Sequence, residues 1–134
     1  MTTPSAVPFH ADSLGASLTV RDLAVSVAFY RDGLGFEVGR EIERDGVLRS
    51  VAMQAGNVRL LLNLDDGAKG LDRVKGTGLS LMLTTKQKVD TIADRVRAHG
   101  SKLATEPADM PWGARVFRVQ DPDGFFLAIS SPLS

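Results

Sequence analysis

Apolar and polar residues follow two periods along this chain, and each period predicts one kind of element. Alternation every second residue predicts half-buried strands, and apolar residues three and four apart predict helices that bury one face. The expected strands are 15–20, 36–41, 47–54 and 58–64 in the first half, and 78–83, 101–105, 114–120 and 125–130 in the second. The expected helices are 23–31 and 89–99.

The order strand, helix and three strands occurs twice. The stretch Gly-Leu-Ser-Leu-Met-Leu at 78–83 repeats the shape of Gly-Ala-Ser-Leu-Thr-Val at 15–20. An internal repeat of this size indicates a fold built from two similar units. We therefore predict an arm (1–13) and one α+β domain (14–134), which comprises a first βαβββ module (14–64), a linker (65–76) and a second βαβββ module (77–132).

A turn sequence joins the last two predicted strands. Pro122 fixes φ for one turn position, and Gly124 tolerates a positive φ at another. If Pro122 and Asp123 form a two-residue tip, Phe117 faces Ala128 across the hairpin, and Arg115 faces Ser130. Directly opposed residues share one face of a sheet.

Composition narrows the classes of partner. The 134 residues include 16 Lys and Arg and 16 Asp and Glu, so the net charge is zero, and no basic stripe suggests nucleic acid. Balanced charge also does not oppose self-association. The chain has no cysteine, which excludes disulfides and thiolate chemistry and fits a reducing cytoplasm. We predict neither a signal peptide nor a membrane span, because no long apolar run occurs.

Three stretches resemble the vicinal-oxygen-chelate superfamily, which groups glyoxalase I, extradiol dioxygenases and bleomycin-resistance proteins. They are SLTVRDLAVSVAFYRDGLGFEV, VDTIADRVRAHG and PWGARVFRVQDPDGFF, and the resemblance spans about residues 14–132. It implies that each module curls its sheet, that two modules form a cup, and that the protein is a homodimer. Both arrangements of the cup occur in this family, within one chain and between two, and the sequence leaves both open.

The resemblance also implies where a metal would bind. Family members often hold it at the start of each module's first strand and four residues past the glycine that opens each last strand. These positions are Gly15, Leu60, Gly78 and Ala128, where His, Gln or Glu is usual. None offers a donor, and the two histidines, His10 and His99, do not resemble a ligand pair. We expect no metal and no cofactor.

The predicted hairpin and the family's cup together suggest a set of ligand contacts. They are Ser17, Leu60, Ser80, Met82, Trp112, Arg115, Phe117 and Phe126. Plainer roles stay open: core packing for the apolar residues, an ion pair for Arg115, and a buried loop anchor for Trp112.

These observations favour a metal-free, homodimeric binder of a hydrophobic or aromatic small molecule, of which antibiotic sequestration is one form. A lyase, isomerase or dioxygenase of the same superfamily with atypical active-site residues is the alternative. A third reading is an interaction module whose cup is filled by side chains. No nucleophile elbow, phosphate-binding loop or dinucleotide fingerprint occurs.

Overall fold

Two βαβββ modules follow one another in the computed structural model, which describes residues 7–133. The predicted α+β class and element order are confirmed. The first module comprises β1 (Gly15–Val20), α1 (Leu23–Ala28), a π-helical turn (Phe29–Gly33), β2 (Glu37–Arg44), β3 (Val47–Ala55) and β4 (Val58–Leu64). The second comprises β5 (Ser80–Thr84), α2 (Val89–Ala98), β6 (Leu103–Met110), β7 (Ala114–Gln120) and β8 (Phe126–Pro132).

Only the second half of the predicted arm is described. Residues 1–6 of the predicted arm lie outside the described range, and residues 7–13 form neither helix nor strand. No helix within residues 7–133 is long and apolar enough to cross a bilayer.

Each module forms its own four-stranded sheet. The orders are β1-β4-β3-β2 and β5-β8-β7-β6, so the same topology is repeated. The first strand of each module runs parallel to the last, and the remaining neighbours are antiparallel. Strands β1 and β5 therefore lie at sheet edges, as do β2 and β6.

The first helix starts and ends on specific contacts. Asp22 caps its start, because the Asp22 carboxylate accepts a hydrogen bond of 3.1 Å from the Val25 amide. The predicted helical stretch is present, but its last turn widens into the π-helical turn, where the Leu34 amide bonds to the Phe29 carbonyl. Arg95 of α2 donates to the Arg31 and Asp32 carbonyls, which the helix end leaves free.

Of the strands that outrun their patterns, β6 does so by the most. The expected strand 101–105 runs on as β6 to Met110, although Pro107 cannot donate a ladder hydrogen bond. The register of β6 against β7 shifts between Thr105 and Ala108, which indicates a bulge around the proline. An edge strand tolerates this, because one of its sides needs no partner.

Both sheets and both helices contribute to a single core. Its largest fully buried side chains are those of Tyr30, Phe117, Leu18, Met53, Leu62 and Leu127. One face of each sheet therefore packs toward the helices and the shared core. The opposite face of each sheet points away from it, toward solvent.

The turn between β7 and β8 docks on the first module through buried polar groups. The Asp121 Oδ1 atom accepts hydrogen bonds of 2.9 Å from the amides of Asp123 and Phe125, which shapes the turn. Its Oδ2 atom accepts a hydrogen bond of 2.7 Å from the hydroxyl of Tyr30, which is fully buried. Burial raises the pKa of Asp121, and the three donors oppose that rise.

An ion cluster from the linker completes this junction. The Lys75 ammonium lies 2.8 Å from Asp65 and 3.6 Å from Asp123, and all three side chains are almost fully buried. Pairing with Lys75 and a hydrogen bond from the Gly67 amide lower the pKa of Asp65 to about 2. The linker therefore joins the modules through charge as well as through the chain.

We expect Tyr30→Phe to destabilise the protein by about 1.5–3 kcal/mol, the usual range for a hydrogen bond to a charged group. The substitution leaves Asp121 Oδ2 buried without its donor. Urea unfolding measures the effect. Ser50→Ala, which removes a hydroxyl from a more exposed hydrogen bond, should cost less than half as much. Equal losses for the two variants would contradict this account of the junction.

Candidate ligand-binding site

The sheet faces that point away from the core are the candidate binding surfaces. Outer face one is the solvent side of the first sheet, and outer face two is that of the second. Strand pairing places Gly15, Ser17, Thr19, Ser50, Ala52, Arg59, Leu61 and Asn63 on outer face one. It places Ser80, Met82, Thr84, Val116, Arg118, Phe126, Ala128 and Ser130 on outer face two.

Outer face one carries a short polar network beside an apolar groove. The Asn63 side-chain amide donates to Ser17 Oγ at 2.7 Å, and Ser50 Oγ donates to the Asn63 oxygen at 2.8 Å. The adjoining groove measures about 360 Å³, and Ala52 and Leu61 are among its lining residues. Ser17, predicted as a contact, therefore lies on an accessible face with its hydroxyl fixed in position.

Outer face two brings three predicted residues together. Ser80 pairs with Phe126 across the β5–β8 ladder, and Met82 pairs with Ala128 in the same ladder. Met82 is 81% exposed and Phe126 is 38% exposed, which is unusual for side chains of this size. This face offers apolar contact area to another molecule.

The predicted register of the closing hairpin is wrong. The connection spans five residues, 121–125, because Asp121 folds the turn around its own carboxylate. Phe117 consequently pairs with Ile129 instead of Ala128. Its side chain is fully buried in the core, on the sheet side opposite the candidate surface.

Leu60 is also on the core side. It is 4% exposed and packs in the core cluster, although it also borders the groove on outer face one, where its neighbour Leu61 pairs with Ser17. The prediction treated the glycines that precede β4 and β8 as equivalent. They are not, because the β3–β4 connection has two residues, Gly56 and Asn57, against five in the second module.

Arg115 is held in ion pairs on the helix side of the sheet. Its guanidinium makes a two-point contact with Asp90 of α2, at 2.9 and 3.0 Å, and a third contact with Asp109 at 2.9 Å. These hydrogen bonds raise the pKa of Arg115, and the bond to Asp90 has the larger effect. The ion-pair interpretation holds, and the position predicted at the cup mouth is wrong.

Trp112 lies in the turn between β6 and β7, where Gly113 adopts a φ of 91°. The indole is 70% exposed, so it is not a buried loop anchor. Its contact with a ligand stays a prediction.

Arg118 was not among the predicted contacts. The side chain is exposed on outer face two, where Arg118 pairs with Ala128. Within residues 7–133 no carboxylate lies within 4 Å of it, and the same is true of Arg59 on outer face one. A turn lengthened by Asp121 shifts the pairing of β7 by one residue, so that Arg118, and not Arg115, lies on the outer face. The Asp121 side chain was the signal that could have identified Arg118.

The residues of the two faces do not fit a catalytic divalent metal. Tight binding needs several imidazole or carboxylate donors at one point, and residues 7–133 contain no group of three or more His, Cys, Asp or Glu placed to provide them. Leu61, which takes the place expected for Leu60, is equally unable to donate. His10 instead pairs with Asp12 at 3.3 Å in exposed chain, and His99 ends α2.

Comparison with known proteins agrees with the fold. The sequence-family model of the glyoxalase/bleomycin resistance protein/dioxygenase superfamily matches residues 10–129 of this chain. No curated protein matches the chain.

Three solved structures illustrate the likeness. A glyoxalase/bleomycin resistance protein/dioxygenase from Nocardioides has 25% identity and a TM-score of 0.69, with 96% of this chain and 87% of that chain covered. TioX from Micromonospora sp. ML1 has 18% identity and a TM-score of 0.74, with coverage of 92% and 100%. TnmS3, an antibiotic binding protein from Streptomyces sp. CB03234, has 22% identity and a TM-score of 0.70, with coverage of 92% and 97%.

We expect purified, tag-free protein to contain no stoichiometric transition metal, because the faces lack donors. Elemental analysis and melting curves with and without EDTA test this. One equivalent of zinc, nickel, manganese or iron per chain, lost with a clear fall in Tm on chelation, would contradict it.

Proposed function

Because the chain belongs to the glyoxalase/bleomycin resistance protein/dioxygenase superfamily, we propose that it is a metal-free, homodimeric binding protein for a hydrophobic or aromatic small molecule. The observation that carries the proposal is the pair of exposed outer faces. One presents Met82 and Phe126, and neither provides a metal-binding set. An antibiotic is the ligand class we favour, since TnmS3, of similar fold, is an antibiotic binding protein.

The strand edges support a homodimer. Exposed edges are usually protected by charge or proline, since they otherwise pair with another chain. Strand β2 carries five charged residues in eight, and β6 carries Glu106, Pro107 and Asp109. The sequences of β1 (GASLTV) and β5 (SLMLT) carry neither charge nor proline. These two edges are therefore the ones through which a second copy would join.

The two outer faces belong together in the proposed dimer. Within one chain both point away from the shared core, so neither covers the other. A second copy placed along β1 and β5 would bring outer face one of one chain against outer face two of its partner. Each cup would then be built from two chains, which is why we propose that the dimer is the binding unit.

The chemistry of these faces suits a planar, partly polar ligand. Methionine adapts its shape to irregular apolar partners, and Phe126 can pack against an aromatic ring. Arg118 and the hydroxyl of Ser80 supply donors at the same face, and Ser17 and Asn63 supply polar groups from the other. Carbonyl or phenolate oxygens on the ligand would satisfy these donors. The absence of cysteine fits a reducing compartment, and we propose the cytoplasm.

We expect Ser80→Lys to weaken dimerisation roughly tenfold or more, since it places a charge on the unprotected β5 edge. Light scattering over a concentration series measures this. Val74→Lys is the matched control, because it adds the same charge at an exposed linker position outside both outer faces and should leave the dimer intact. A wild-type chain that is monomeric at micromolar concentration would contradict the proposal.

We expect a thermal-shift screen of planar aromatic compounds to give hits, because a ligand that binds the native state raises Tm by mass action. Met82→Asp should weaken a hit about tenfold or more, because it places a charge against the ring. The control is Val74→Asp, an 84% exposed apolar residue in the linker, which should not alter the affinity. The proposal fails if no compound raises Tm or if a hit binds Met82→Asp as tightly as the wild type.

A further inference from the structure

The internal repeat creates two equivalent junctions, in which the last turn of one module lies against the strand–helix connection of the other. The turn 121–125 lies against the β1–α1 connection, where the Arg21 amide donates to Asp123 at 2.8 Å. The turn of Gly56 and Asn57 faces the β5–α2 connection across a cleft that residues of both border.

The first junction is filled by the chain itself. The Asp123 carboxylate accepts hydrogen bonds from the Arg21 amide and from Ser26 Oγ, at 2.8 and 3.3 Å. Phe125 follows within the same turn and packs, partly buried, against the core. This junction thus holds a carboxylate joined to an apolar group.

The second junction is open, because its turn is three residues shorter. A cleft of about 570 Å³ remains, which is within the range of small-molecule sites. Its apolar walls are formed by Leu34, Phe36, Val58, Leu83, Ile92 and Ile129. Ile92 is the fourth residue of α2 and Ser26 is the fourth residue of α1, so the wall is apolar where the first junction is polar.

The rim of the cleft is polar and includes one cation. Asn57, Thr85, Lys86 and Gln87 border it, and Lys86 is exposed. Among residues 7–133 no carboxylate lies within 4 Å of the Lys86 ammonium. The cleft therefore combines apolar walls with a positive group at its mouth.

We propose that this cleft is a second ligand site, which binds a small amphipathic carboxylate. Its apolar part would occupy the space between Phe36 and Ile92, and its carboxylate would pair with Lys86. The first junction is a precedent for filling this space, since there the chain places a carboxylate and an apolar group, from Asp123 and Phe125, although the Arg21 amide and Ser26 rather than a rim lysine hold that carboxylate. The site is separate from the outer faces, because Leu83 and Ile129 belong to the core side of their sheet, and Thr84 alone among the residues named on outer face two borders the cleft.

NMR titration with decanoate, below its micelle concentration, tests the site. We expect the methyl signals of Leu83, Ile92 and Ile129 to shift, with those of Met82 and Ala128 unchanged. Lys86→Ala should lower the affinity for decanoate roughly twofold to fivefold, which is the scale of an exposed ion pair. The weaker affinity for decanol should not change. Asn57→Trp, at an exposed rim position whose side chain makes no hydrogen bond to residues 7–133, should weaken the binding of both probes about tenfold by obstruction.

Lys69→Ala is the control for net charge, since Lys69 does not border the cleft. It should bind decanoate as the wild type does. The proposal is overturned if decanoate does not bind, if the shifts map to the outer faces, or if Lys86→Ala and Lys69→Ala behave alike.

Discussion

The buried carboxylate of Asp121 is the interaction on which the arrangement of the molecule depends. One oxygen folds the turn between β7 and β8, and the other accepts the hydroxyl of Tyr30 from the opposite module. The ring of Tyr30 stands edge-on to Phe29 and Phe36, at centroid distances of 5.1 and 5.5 Å, so the hydroxyl is held rigidly. The same carboxylate therefore fixes the shape of the turn and the docking of the modules. A change in either would leave the charged Asp121 side chain in an apolar surrounding without its donors.

This constraint decides which surfaces can bind another molecule. Because the modules are joined through the helices and the β7–β8 turn, the core side of each sheet is buried and the outer faces are exposed to solvent. The unprotected edges of β1 and β5 border those same faces. The proposed dimer, the shared cup and the separate cleft at the second junction all follow from how the two modules meet.

The sequence predicted the elements well, because periodicity and the internal repeat are local properties of the chain. The predicted pairing of β7 with β8 was wrong by one residue. Phe117 therefore lies on the core side and Arg118 on the outer face, the reverse of what a two-residue turn would give. That error arose because hydrogen bonds from the Asp123 and Phe125 amides to the Asp121 side chain shape a longer turn than the Pro-Asp tip assumed from the residue types. Leu60 was misplaced for a related reason, since turns of different length break the repeat that relates β4 to β8. Met82, Ser80 and Ser17 lie on exposed faces as predicted, because β1 and β5 follow the alternation without interruption. Phe126 does so because it shares the face of Ala128, the position expected for the family's metal.

The central claim is that each cup is built from two chains, and cross-linking tests it most directly. The native chain has no cysteine, so Ser17→Cys with Ser80→Cys gives a protein with two defined thiols, one on each outer face. Treatment with a short bismaleimide, followed by mass analysis under denaturing conditions, distinguishes links between chains from links within one. The account predicts a product with the mass of two chains, formed also when the two single-cysteine variants are mixed. A product linked within a single chain, with no species of twice the mass, would contradict it.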